Sequence, residues 1–124
     1  MSAGGNLQAA LAGALTGLDF TGVYDGPPAR APYPYVVLDA GFETDWSHKS
    51  GDGREVLVAV TVWDDQPARL HELADAAQAA VVGTEEVEMW QLVSMRLVRR
   101  RTVRDVAGPW AAAMDFRARL LANN

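Results

Sequence analysis

Cysteine is absent from the 124 residues. That excludes disulfides, thiolate metal sites and thiol nucleophiles, and it fits a cytosolic product. Histidine is scarce: His48 and His71 are the only two, and neither has a carboxylate or second histidine at ligand spacing on its own element. A zinc site needs three or four converging ligands, so no metal is expected. Asp45, His48 and Asp52 share one segment without the regular oxygen spacing of a calcium loop. No glycine-rich phosphate loop occurs, because Gly51-Asp52-Gly53 leads into a strand and not into a helix N-terminus. Ser47 and Ser94 stand in no nucleophile-elbow context. No apolar run approaches the ~20 residues of a membrane span, and the opening Met-Ser-Ala-Gly-Gly-Asn has no basic region of a secretory signal. The net charge of −5 opposes a dedicated nucleic-acid binder, whose footprint is basic. The expectation is therefore a protein with no catalytic residue, no cofactor and no metal, and one that is not an enzyme.

What is present is scaffold. A chain of 124 residues, 49% hydrophobic and 22% charged, is a single globular domain spanning residues 1–124. Leu7, Leu11, Leu15 and Leu18 recur on one helical face, with Asn6 placed to cap the helix. Val23-Tyr24 reads as a short extra strand, and Asp25-Gly-Pro-Pro28 as a turn. Pro32 and Pro34 hold the chain extended, so a strand over Tyr35 to Thr44 follows. Asp45 to Gly53 is a polar tip, expected to be long and mobile. A second strand over Arg54 to Trp63 makes a hairpin with the first. Val56, Val58, Val60 and Val62 share one face of it; Leu57, Ala59, Thr61 and Trp63 share the other. Both faces are largely apolar, so both ask for a cover.

Asp64 or Asp65 then caps a helix that has Pro67 in its first turn. Its buried stripe is Leu70, Leu73, Ala74, Ala77 and Val81. Gly83 ends it, in a conformation that a Cβ would resist. Thr84 to Glu88 is an acidic linker. Met89 to Val103 is a strand with Val93, Met95 and Leu97 on one face. Asp105 to Pro109 is a turn. Trp110, Ala112, Met114, Phe116, Ala118 and Leu120 line the buried face of the last strand. The order α-β-β-α-β-β predicts an α+β fold, two helices on an antiparallel sheet of four main strands.

Two groups of residues are candidates for contact with other molecules. Arg99, Arg100, Arg101 and Arg104 form the one marked charge run. It suits carboxylates of a neighbouring subunit, since a guanidinium binds them bidentately; a solvated strand edge and contact with DNA phosphates are the alternatives. Trp46, with His48 nearby, lies in the polar tip and suits an interface anchor, unless the tip folds back over it. Trp63 and Trp110 are expected in the core, and Trp90 opens a strand.

The ordered set resembles one family. A short N-terminal helix (Leu7 to Leu18), Val23-Tyr24-Asp25, the Pro32 to Leu38 strand, and a strand ending in tryptophan (Val56 to Trp63) that runs into an alanine-rich helix are similar to the phage tail completion, or tail terminator, family of small head–tail joining proteins. Related proteins occur in phage-like gene transfer agents. The likeness covers residues 5 to 82 well and the C-terminal third loosely. It implies a structural virion protein: a hexameric ring that caps the tail tube, ends its polymerisation and joins it to the head connector. Its partners would be further copies of itself, the tail tube protein and the head–tail connector protein, with no membrane and no specific nucleic acid. It would reside at the tail–head junction, and in host cytoplasm before assembly. Another connector or stopper component is the near alternative. A cytosolic ligand-binding or small enzymatic α+β domain is the alternative from a different class.

Overall fold

A computed structural model describes residues 2–106 and 108–123. The elements are helix α1 (Ala3–Thr16), strands β1 (Val23–Tyr24), β2 (Tyr35–Asp45) and β3 (Gly53–Asp64), helix α2 (Pro67–Val82), and strands β4 (Glu86–Val87), β5 (Trp90–Arg104) and β6 (Trp110–Ala122). All the strands join one sheet in the order β1-β2-β3-β6-β5-β4. The four long strands pair antiparallel, as expected. The sheet is nevertheless six-stranded and mixed, because β1 runs parallel to β2 and β4 adds antiparallel to β5. The fold is α+β, with both helices on one side of the sheet.

That side is the core. Val56, Val58, Val60 and Val62 on β3 and Met114, Phe116, Ala118 and Leu120 on β6 are buried under the helices. The leucines Leu7, Leu11 and Leu15 of α1 and the stripe Leu70, Leu73, Ala74, Ala77 and Val81 of α2 close the layer from above. Phe116 is the largest fully buried side chain. The period-2 and period-3.6 patterns thus locate the core faces correctly.

The helix ends and several strand details differ from expectation. Ser2 caps α1, accepting a 3.0 Å bond from the Gly5 N–H. Asn6 lies inside the helix, buried, and its Nδ2 donates to the Glu88 carbonyl at 3.0 Å. Neither Asp64 nor Asp65 caps α2. Gln66 holds that position without a side-chain bond, because Asp64 turns inward to Arg69. Gly83 ends α2 with ordinary right-handed dihedrals, φ −80° and ψ −3°, so its place needs no glycine on conformational grounds. The acidic linker contains β4, which closes a two-residue turn against β5. Bulges in β5 between Leu92 and Ser94 and between Leu97 and Arg99 break the alternation. They push Val93 and Val98 outward while Met95 and Leu97 stay against the core.

The β2–β3 tip is more structured than a long free loop. β2 runs through Asp45, and the His48 and Gly51 backbones exchange bonds of 2.9 and 3.2 Å beyond it. Ser47 Oγ donates to Asp45 at 2.6 Å and accepts from the Gly53 N–H at 3.1 Å. The Trp46 N–H donates to the Gly53 carbonyl at 2.9 Å. A Cβ on Gly53 would run into the Trp46 carbonyl, so this crossing requires glycine.

Candidate assembly surface

Both helices pack on one face of the sheet and leave the other bare. Five rows of side chains cross it, fixed by the strand register. The first is Thr44, Glu55, Arg119 and Ser94; the second is Phe42, Leu57, Arg117 and Arg96. Next come Asp39, Ala59, Asp115 and Arg99, then Val37, Thr61, Ala113 and Arg101, and last Tyr35, Trp63, Ala111 and Val103. A bulge between Asp39 and Phe42 brings Phe42 onto this face. The Asp39 carboxylate holds that bulge by accepting from the Gly41 N–H at 2.8 Å.

Three large apolar side chains of this face are open to solvent, with the charged Asp115 and Arg117 of β6 between Leu57 and Val98. Phe42 is 63% exposed, Leu57 44% and Val98 59%. A shallow groove of about 420 Å³ runs between them, rimmed by Asp39, Arg99 and Asp115. Solvated surfaces carry scattered apolar residues without consequence, whereas apolar residues that line one groove are a candidate contact. One end of the face is aromatic. Tyr33 stacks on Tyr35 with centroids 5.7 Å apart, and Tyr35 on Trp63 at 6.5 Å. Burial pushes the Tyr35 hydroxyl above its usual range, and the neighbouring Tyr33 and Tyr24 add to the effect. Trp63 is therefore half-buried on the bare face and is no core residue, whereas Trp110 packs partly against the core.

The six residues expected at contacts do not form one site. Trp46 is half-buried, edge-on to His48 with centroids 4.6 Å apart, and the Arg119 guanidinium lies 5.3 Å from its ring centre. This pair sits at the Glu55–Arg119 end of the sheet. The arginines divide between faces, as alternation requires. Arg99 and Arg101 lie on the bare face, Arg100 on the helix side. Arg99 bonds Asp115 at 2.6 Å. Arg100 reaches α2, donating to Asp75 at 2.8 Å and Gln78 at 3.0 Å. Arg104 lies over Trp110 at 5.5 Å. Arg101 has no carboxylate partner among the described residues. Phe42, Leu57, Val98, Arg96 and Arg117 were not singled out by sequence reasoning. The double apolar face of β3 was the available signal for Leu57. Gly41, an isolated glycine inside β2, was the available signal for the bulge that exposes Phe42; the bulge that exposes Val98 leaves no local trace.

Asp64 is the one fully buried carboxylate among the described residues, and it serves the scaffold. It accepts two bonds from Arg69, at 2.7 and 2.6 Å, and one from the Gln66 N–H at 3.3 Å. Burial, the largest influence, pushes its pKa up; the Arg69 and Gln66 bonds together outweigh it and hold the group below the usual carboxylate range. The pair ties the end of β3 to the first turn of α2. No group of three or more histidines and carboxylates among the described residues is arranged to hold a metal ion.

The molecule is thus a small α+β domain with a sheet covered on one side only. The tail completion protein gp17 family model matches residues 6–121. The chain belongs to that family, and the match extends through the C-terminal third where the sequence resemblance was loose. No curated protein matches it. Among solved structures, a chain from the virion of a native gene transfer agent particle is similar at 29% identity and a TM-score of 0.76, with 98% of each chain covered.

Proposed function

We propose that the chain is a structural virion protein at the tail–head junction of a phage-like particle, which forms a ring, caps the tail tube and ends its polymerisation. Family membership supports a role in completing the tail, and the likeness to a chain of a gene transfer agent virion supports a place in such a particle. The observation that carries the assembly reading is the bare sheet face, with Phe42, Leu57 and Val98 exposed across its middle. An apolar face left open by a small domain is covered by association. A closed cyclic arrangement covers every copy at once. Six copies is the ring size the family resemblance implies. The axial partners would be the tail tube protein on one side and the head–tail connector on the other. Arg101 and the Trp46–His48 tip lie outside the core and are available to these contacts, whereas Arg99 and Arg100 are already bonded to Asp115 and to α2.

The test is tube growth. Tail tube protein polymerising in the presence of the chain should give tubes that stop elongating and carry a ring at one end under the electron microscope. Tubes that grow as long with the chain as without it, and bear no ring, would remove the terminator role. Binding to a purified connector with no effect on tubes would assign the chain to a stopper or connector component instead.

A further inference from the structure

We infer that the groove on the bare sheet face receives the Glu85–Met89 turn of a second copy of this chain. The inference rests on the ring reading above and specifies its subunit contact. The groove has an apolar floor, its rim carries Asp39 and the Asp115 carboxylate already paired with Arg99, and two further arginines stand beside it. In the row Phe42, Leu57, Arg117, Arg96, the two arginines stand directly opposite one another on β6 and β5. Neither has a carboxylate partner among the described residues. Like charges in that position repel, and an acidic partner relieves them. The occupant indicated is therefore apolar at its tip and acidic around it.

This chain displays such a tip. The turn from β4 to β5 carries Glu85, Glu86, Glu88 and Met89, all exposed. None of the three glutamate side chains meets a cation among the described residues. Met89 projects 63% exposed and is the one described non-glycine residue with positive φ, 68°. Glycine would adopt that backbone at less cost. The local fold thus gains nothing from methionine there, whereas a flexible, polarisable side chain suits a shallow apolar groove. The turn itself is firmly seated. Asn6 donates to the Glu88 carbonyl, and the Asn123 N–H donates to the Met89 carbonyl at 3.1 Å.

Turn and groove are different patches of one molecule. A copy that fills its neighbour's groove leaves its own groove for the next, which is the head-to-tail relation that generates rings. A two-fold dimer of bare faces would use the groove and leave the turn idle.

The first variant is Met89→Gly in the full chain. Its melting temperature should equal or exceed that of the wild type, while the concentration for half-assembly rises about tenfold, as for an anchor residue. The second experiment swaps charges. Glu86→Arg with Glu88→Arg should abolish assembly, and so should Arg96→Glu with Arg117→Glu. An equimolar mixture of the two double variants should assemble again, because each then offers what the other's patch needs. Circular dichroism confirms that each variant is folded. Met89→Gly assembling at the wild-type concentration would overturn the inference, as would two double variants that assemble separately or a mixture that stays apart. If Phe42→Asp blocks assembly while Met89→Gly and the Glu86→Arg, Glu88→Arg variant both assemble normally, the groove takes a different occupant and the turn is excluded. If the wild type forms no ring, alone or on tail tubes, the ring reading falls and takes this contact with it.

Discussion

Phe116→Ala tests the packing on which every surface assignment depends. Phe116 lies at the middle of β6, fully buried, with Val58 and Leu97 beside it on the flanking strands. Above it α2 presents a stripe partly of alanines, Ala74 and Ala77. Those side chains are too short to fall into a phenyl-sized hole, and the sheet below is held by paired backbone. The cavity therefore stays largely open, and the loss should be about 3–5 kcal/mol. For a domain of this length that corresponds to a fall in melting temperature of roughly 10–20 °C. Urea unfolding followed by circular dichroism measures it, and an unchanged slope with a lower midpoint shows that stability alone has changed. Phe116→Leu should cost much less, since it refills most of the volume. A loss below about 1 kcal/mol for the alanine variant would mean that this face looks to solvent. The register of β6, and with it the bare face, would then be displaced by one residue.

Asp64 titrates below its unfolded value, so its contribution is present above the ordinary carboxylate range and is lost as pH falls through the folded value. Arg69→Met reverses the sign by leaving a buried carboxylate without its cation. That variant should melt several degrees below wild type at pH 7 and approach it on acidification; parallel profiles would contradict the pairing. Trp46→Ala removes a half-buried ring that meets Arg119 and His48. It should cost about 1 kcal/mol while impairing assembly, and a much larger loss on thermal melting would make Trp46 a packing residue. Arg99→Glu with Arg101→Glu should hinder assembly, and wild-type assembly should weaken with salt as screening shortens to roughly 8 Å at physiological ionic strength. Normal oligomer mass with lost duplex-DNA affinity would assign the arginines to DNA, and a variant normal in both would leave them a solvated edge. Arg99 already bonds Asp115, so Arg101→Glu alone is the cleaner control for folding.

The long elements were legible because their burial is periodic. The valines of β3, the alternate residues of β6 and the leucines of α1 each repeat with the spacing of the face they bury. What escaped the sequence is set by how particular side chains pack, whether their partners are near or far in the chain. Asp64 looked like a cap because it precedes Pro67, and its inward turn depends on burial beneath α2 and on Arg69. Asn6 looked like a cap as well, and its role is fixed by Glu88, 82 residues away. β4 is two residues long and hidden among glutamates. The open patch was half legible. The apolar second face of β3 announced a missing cover, but Phe42 and Val98 join it only through bulges, the first marked by no more than Gly41 and the second by nothing in the sequence. The arginine run was visible as a run and its division between two faces followed from alternation. That Arg99 and Arg100 find carboxylates on β6 and α2 was not.

A chain with one covered and one bare sheet face is proposed to complete itself by association. The most direct test of that proposal is the mass of the purified protein across a wide concentration range, by sedimentation velocity and native mass spectrometry, alone and on tail tubes. A closed species of fixed size, a whole multiple of the 13.4 kDa subunit and most simply six copies, should form in free solution or on the tube end. A protein that stays monomeric at the highest concentrations and is also indifferent to tail tubes would contradict it.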